Sequence, residues 1–139
     1  MMKQISIIFV FISFLCFTGC DEIIECIINK SPELPDKILK VGLVNSYYSD
    51  FINAEIKNEP RDDDYDYYFE LYGKLPEGIE MTVDYRRVYF EGIPTESGSF
   101  NFTIVLSVDP PLYYDDETGD YEDDMCSYST SKGYTITIR

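Results

Sequence analysis

Two runs of carboxylates are the side chains in this sequence with the clearest potential for chemistry. The first run comprises Glu59, Asp62, Asp63, Asp64 and Asp66, and the second extends from Asp109 to Asp124. Closely spaced carboxylate oxygens suit Ca²⁺, which binds about six to eight oxygen ligands. The residues predicted to bind calcium are Asp62, Asp64, Asp66, Asp115, Asp116 and Asp120. Because Tyr67 stands where an EF-hand loop requires glycine, the alternative is that both runs are solvated loops.

Four tyrosines lie within or beside these runs: Tyr65, Tyr113, Tyr114 and Tyr121. A tyrosine offers a wide contact surface at a small cost in entropy, as the binding loops of antibodies illustrate. We therefore predict that these tyrosines form a surface that binds a protein or a glycan. The alternative is that they are ordinary, half-buried residues of a β-sheet.

The N-terminus carries a lipid-attachment pattern. Lys3 precedes an apolar run from Ile5 to Phe17, which is too short to cross a bilayer as a helix and is typical of a signal peptide over residues 1–19. The residues Phe17-Thr18-Gly19-Cys20 resemble the lipobox of bacterial lipoproteins. The resemblance implies cleavage before Cys20, its acylation, and a lipid anchor in the bacterial cell envelope, at the outer membrane or the cell surface. The alternative is an ordinary secretory signal without lipid.

Export decides how the remaining cysteines are interpreted. Cys16 leaves with the signal peptide and Cys20 carries the lipid. Cys26 and Cys126 therefore remain as a pair in an oxidising compartment. We predict a disulfide between them, which closes a loop of about 100 residues and contributes about 4 to 5 kcal/mol in the chain-entropy model. Two free or metal-binding thiols are the alternative, although two cysteines without histidine make a poor zinc site.

The composition excludes several classes of function. The 139 residues have a formal net charge of −15 and contain no His and no Trp. A Ser-His or Cys-His nucleophile pair is therefore absent, and the excess of acid disfavours nucleic acid, whose phosphates require Lys and Arg. A carboxylate-pair glycosidase needs an enclosed pocket, which acids on flexible loops do not provide. We predict that the protein is not an enzyme.

Alternating apolar residues predict the framework that positions these groups. The predicted strands, A to G in chain order, cover residues 38–44, 51–57, 67–72, 79–83, 88–93, 99–108 and 134–138. The apolar spacing has period two throughout and favours no long helix. We predict an all-β, antiparallel β-sandwich of about seven strands over residues 35–139, after a lipidated tether over residues 20–34.

Two motifs carry a family resemblance. The segment Leu75-Pro76-Glu77-Gly78-Ile79 is followed by Gly92-Ile93-Pro94-Thr95-Glu96-Ser97-Gly98 and an aromatic, alternating strand. This pattern resembles the immunoglobulin-like, cadherin-like domains of bacterial surface proteins. The resemblance implies an immunoglobulin-like sandwich, and its cadherin side points to calcium at the acidic loops. The motifs say little about activity, because fold and function are separable.

The implied fold brings the acidic runs together. In an immunoglobulin-type sandwich the B–C and F–G loops lie at the same end, where Cys26 and Cys126 also become neighbours. We predict a non-catalytic envelope lipoprotein that binds an envelope protein or a glycan through these acidic, tyrosine-rich loops, and that does not bind nucleic acid. The alternative is an accessory subunit without a ligand of its own. Joint exposure of Tyr113, Tyr114 and Tyr121 favours recognition, whereas burial or dispersal favours the accessory role.

Overall fold

The computed structural model describes residues 30–117, 119–123 and 125–139, so the predicted signal peptide, Cys20 and Cys26 lie outside the described part of the chain. The elements are β1 (Ser31–Glu33), β2 (Val41–Gly42), β3 (Tyr48–Asn53), β4 (Glu55–Lys57), a 3-10 turn (Asp62–Asp64), β5 (Asp66–Gly73), β6 (Ile79–Asp84), β7 (Arg87–Gly92), β8 (Gly98–Asp109), β9 (Tyr113–Tyr114), β10 (Tyr121–Glu122) and β11 (Ser129–Ile138). Within these ranges no helix has the length and apolar character needed to cross a membrane.

Two sheets form the sandwich. One has the strand order β2-β11-β8-β5 and the other the order β3-β7-β6, while β1 pairs with β4 and β9 with β10. The predicted all-β, immunoglobulin-like architecture is confirmed. The pair β2–β11 is parallel, in contrast to the predicted antiparallel arrangement. The N-terminal segment first pairs through β1 with β4, and it then crosses to the sheet that contains β11.

The core fills the space between the two sheets. Alternate residues of β8 point inward, and Phe102 packs against Phe90 of the facing sheet with ring centroids 5.0 Å apart. Ile52, Val88 and Ile104 are fully buried beside them. Each such side chain contributes about 1.5 to 3 kcal/mol on burial, so this period-two pattern dominates the stability of the fold.

The predicted strands are all present, with changed limits. The last strand begins at Ser129, whereas the sequence predicts a start at residue 134. The prediction misses residues 129–133 because they lack alternating apolar side chains. The first strand shrinks to the two residues of β2. Residues 31–34, which were assigned to the tether, belong to the sandwich, since β1 pairs with β4 and Leu34 is buried in the core.

The two sequence motifs meet in space and explain their glycines. Gly78 has φ +89° in a turn that is closed by the Ile79 N–H donating to the Pro76 carbonyl at 3.0 Å. A Cβ at Gly78 would lie 2.1 Å from the carbonyl oxygen of Ile93, and one at Gly92 would lie 2.0 Å from that of Gly78. Each glycine therefore lies against the backbone of the other motif, which leaves no room for a side chain.

Candidate functional site

Both acidic runs lie at one end of the sandwich, as predicted. In the register of β5 with β8, Asp66 is opposite Asp109, so the loop before β5 and the connection after β8 leave from the same end. The charges of Asp109 and Asp66 both raise the pKa of the exposed Tyr68. We call this end the acidic pole and define it as residues 58–66 together with the described residues of 109–128.

The loop before β5 is held by the turn between β6 and β7. Arg86 of that turn forms an ion pair with Asp62, and the Tyr67 hydroxyl donates to the Asp62 carbonyl at 3.0 Å. The Tyr85 hydroxyl lies 3.1 Å from the carbonyl oxygen of Tyr65. Burial, followed by the Asp62 charge, raises the pKa of Tyr67, which therefore stays a neutral donor. These contacts hold the loop against the turn between β6 and β7.

The predicted calcium ligands are engaged separately. Asp62 pairs with Arg86, and Asp115 Oδ1 accepts the N–H of Glu117 at 2.7 Å. Asp64, Asp66, Asp116 and Asp120 are exposed. Among the described residues, no three acidic or cysteine side chains form a group that could hold a metal ion. The structure therefore gives the calcium prediction no support. Aspartates in turns also accept hydrogen bonds from nearby backbone N–H groups, as Asp115 does here.

Two of the predicted partner-binding tyrosines are exposed at successive positions of one strand, which point to opposite faces. Tyr113 and Tyr114, which form β9, are 44% and 57% exposed. Tyr121 lies opposite Tyr114 in the backbone register of β10 with β9. Tyr65 is not exposed with them, because its relative exposure is only 2%. It lies two positions before the buried Tyr67, so it shares the inward-facing phase.

These tyrosines belong to a small hairpin that we call the acidic arm, residues 112–123 with residue 118 outside the described part. Asp115 donates its N–H to the Asp120 carbonyl at 2.9 Å, and Gly119 donates to the Asp115 carbonyl at 2.8 Å. Gly119 has φ +77°, which a glycine adopts without strain. Apart from pairing with each other, β9 and β10 make few contacts with the other strands. The arm contains no Lys or Arg, so it presents tyrosine and carboxylate together.

The N-terminal end of the described chain is fixed at the same pole. Lys30 Nζ lies 2.6 Å from Glu59 Oε2, and the Cys126 N–H donates to the Lys30 carbonyl at 2.8 Å. Lys30 also forms a parallel bridge with Met125. The Lys30 ammonium, together with the Arg61 N–H, holds the pKa of Glu59 below its ordinary value. The chain therefore enters the sandwich at the acidic pole.

The predicted cysteine sites are only partly within the described residues. Cys126 is the one cysteine within the described ranges, so no disulfide can be described there. Cys26 precedes Lys30 by four positions and lies outside these ranges, as does Cys20. The pairing of Cys26 with Cys126 and the acylation of Cys20 stay predictions.

The residues that organise this pole could not be predicted from the sequence. Tyr85 and Arg86 hold the acidic loop from a different turn, and Lys30 meets Glu59 across 29 positions of the chain. No local pattern marks either contact, because each depends on which turns the sheet order brings to the same end.

Solved structures that the chain resembles include immunoglobulin-like domains. Titin domain M4 matches 80% of this chain and 98% of its own length, at 10% identity and a TM-score of 0.46. Murine CRIg matches 78% of this chain and 98% of its own length, at 8% identity and a TM-score of 0.47.

Enzymes are also among the matches. An endo-fucoidan hydrolase from glycoside hydrolase family 107 matches 78% of this chain at 15% identity and a TM-score of 0.47, but the chain spans only 13% of that protein. No family model and no curated protein matches the sequence. Likeness of this degree concerns the fold alone.

Proposed function

We propose that the protein is a non-catalytic lipoprotein of the bacterial cell envelope that binds an envelope protein or a glycan through the acidic arm. The separate exposure of Tyr113 and of Tyr114 on a hairpin that packs little against the rest of the sandwich carries the proposal. Exposed aromatic residues beside polar groups are typical of recognition surfaces. Because the arm has no basic residue, a partner with Lys or Arg side chains, or an uncharged glycan, fits it best.

The anchor belongs to the same proposal. The lipobox-like sequence before Cys20 supports acylation, and the place of Lys30 against Cys126 supports a disulfide with Cys26. The six residue steps from Cys20 to Cys26 span at most about 20 Å when fully extended. A bridge at Cys26 would therefore keep the acidic pole close to the membrane surface. A partner of the arm would then be found at that surface, where another membrane-attached component can approach from the side.

The arm is tested with the double variant Tyr113→Ser/Tyr114→Ser. The control is Tyr47→Ser, which removes an exposed tyrosine just before β3 and outside the acidic pole. Full-length proteins are cross-linked in envelopes of the producing bacterium, at low and at high salt. We expect the arm variant to lose the cross-linked product and the control to keep it, with less product at high salt if the partner is basic. Equal cross-linking by both variants would contradict the proposal and favour the accessory role.

The anchor is tested with Cys20→Ser. The substitution should move the protein from the membrane pellet to the soluble fraction and abolish incorporation of labelled fatty acid. Wild-type protein that carries no lipid would contradict this part of the proposal.

A further inference from the structure

We infer that the outer face of the β5–β8–β11 sheet carries a second site, which binds an uncharged oligosaccharide. An open concavity of about 480 Å³ lies on this face, and its walls include Tyr72, Asn101, Thr103, Gly133 and Thr135. In the strand register Thr103 lies between Tyr72 and Gly133, and Asn101 lies opposite Thr135. The site therefore spans three adjacent strands and is independent of the acidic arm.

The concavity exists because Gly133 has no side chain. Gly133 lies within the long strand β11, where glycine is less favourable than residues with side chains. A Cβ at this position would meet nothing closer than the Phe102 carbonyl oxygen at 4.0 Å, and the backbone does not have a positive φ there. The local backbone thus does not demand glycine, whereas close approach of a ligand does.

The neighbouring Gly73 shows the opposite case. Its φ is +114°, and a Cβ would lie 3.0 Å from the Asn101 carbonyl oxygen and 3.0 Å from Phe102 Cα. Gly73 is therefore required by the fold itself. The contrast separates a structural glycine from one whose missing side chain leaves space at the surface.

The groups around this space match the surface of a sugar. The Tyr72 side chain is 58% exposed, and its hydroxyl donates to Glu70 Oε2 at 2.6 Å, which fixes the position of the ring at the rim. An exposed aromatic ring offers an apolar platform for the C–H face of a pyranose. Thr135 Oγ1 lies 2.7 Å from Asn101 Oδ1. That bond occupies the amide oxygen, so the amide NH₂ is the group of Asn101 that can donate to a ligand hydroxyl.

Other ligand classes fit less well. The residues that line the concavity carry no positive charge, so a phosphate would find no counter-ion there, and the one carboxylate beside it, Glu70, already accepts the Tyr72 hydroxyl. The backbone of β8 pairs with β5 on one side and with β11 on the other, so it has no free ladder for a peptide strand. Recognition must therefore come from the hydroxyl, amide and aromatic side chains, which is the chemistry that binds neutral sugars.

The site is also distant from the acidic pole. Thr103 and Asp109 are six residues apart on β8, which corresponds to about 20 Å along the strand. A sugar in the concavity and a partner on the arm would not compete directly.

The test uses amide NMR spectra of the purified full-length protein. The probes are oligosaccharides from dextran, β-glucan, xylan and galactomannan, with oligogalacturonate as the charged probe. We expect at least one neutral probe to shift the amide resonances of Asn101, Thr103 and Gly133. The inference is overturned if no neutral probe shifts them, or if only oligogalacturonate does.

Substitutions then locate the binding. Gly133→Val fills the concavity and should weaken binding at least tenfold without lowering the melting temperature, whereas Ser131→Val, in the adjacent outward row of β11, should bind like the wild type. Tyr72→Ala should lose binding and Tyr72→Phe should retain it, which keeps the test decisive if the valine variant folds poorly. The Tyr113→Ser/Tyr114→Ser variant should still bind the sugar, so failure of the arm proposal is distinguishable from failure here. Unchanged affinity in both Gly133→Val and Tyr72→Ala would refute the site.

Discussion

Replacing Asp50 by Asn should destabilise the protein by about 3 kcal/mol at neutral pH, although Asp50 lies far from both proposed binding surfaces. Asp50 is 1% exposed and occupies an inward position of β3. Its carboxylate lies 2.6 Å from Lys37 Nζ and accepts the N–H groups of Lys40 and Phe51, each at 2.9 Å. The buried charge thus joins the segment before β2 to the edge of the sandwich.

The magnitude follows from what an asparagine leaves unpaired. Its NH₂ group replaces one acceptor oxygen, so one partly buried backbone N–H loses its partner, at a cost of about 1 kcal/mol or more. The charge-assisted bond from Lys37 contributes about 1.5 to 3 kcal/mol, part of which returns because the Lys37 ammonium can reach water. The sum is a large share of the roughly 5 to 15 kcal/mol that stabilise a typical domain.

The stabilisation by Asp50 depends on pH. Burial alone would raise the pKa of Asp50, but the Lys37 ammonium and the two N–H donors hold it below its ordinary value. A group whose pKa is lower in the folded state contributes stability above its unfolded pKa, about 3.9 for Asp, and loses it as the pH falls through the folded pKa. The difference between wild type and Asp50→Asn should therefore shrink below about pH 4.

Urea unfolding of the purified proteins, followed by tyrosine fluorescence at pH 7 and pH 2.5, measures both effects. The control is Asp64→Asn, which alters an exposed aspartate and should change stability by less than about 0.5 kcal/mol. A cost for Asp50→Asn below about 0.5 kcal/mol at pH 7, or an equal cost at the two pH values, would refute the reasoning.

Further predictions concern single contacts. Tyr48→Phe should leave the free energy of unfolding equal or raise it by about 1 kcal/mol in urea titrations, because the buried Tyr48 hydroxyl has no hydrogen-bond partner. Glu59→Gln should lower the free energy of unfolding by about 1 to 2 kcal/mol in the same assay, because the substitution removes the ion pair of the largely buried carboxylate with Lys30. The free energy of unfolding should also depend less on pH, since the lowered pKa of Glu59 no longer contributes. Gly78→Ala should lower the melting temperature by several degrees, because its Cβ would strike the Ile93 carbonyl. Melting curves with millimolar Ca²⁺ and with a chelator test the calcium prediction, which requires a higher melting temperature with Ca²⁺, whereas equal melting temperatures would leave the acidic runs as solvated loops.

The strands were predictable because one physical signal dominates them. Alternation of apolar residues identified β8 along nearly its whole length and placed Phe102 and Ile104 in the core, as the structure confirms. The shared end of the two acidic runs followed from the implied topology and is confirmed by the pairing of Asp66 with Asp109. Both predictions depend on period and connectivity, which a sequence displays directly.

What the sequence did not display are contacts between turns and the phase of single residues. Tyr65 was assigned to an exposed loop, although its two-residue spacing from Tyr67 places it in the core. Asp50 precedes the predicted second strand, and nothing local marks it as a buried charge. The concavity at Gly133 is formed by residues of three strands, so the sequence around Gly133 alone does not indicate it. Each of these features arises from packing between segments that are distant in the chain.

Mass spectrometry of the native protein, digested without reduction, tests the central claim most directly. The account predicts an N-terminal peptide that begins at an acylated Cys20 and also carries a disulfide from Cys26 to the peptide containing Cys126. An unmodified Cys20 in the mature protein, or a Cys126 linked to a cysteine other than Cys26, would contradict the anchored arrangement of the acidic pole.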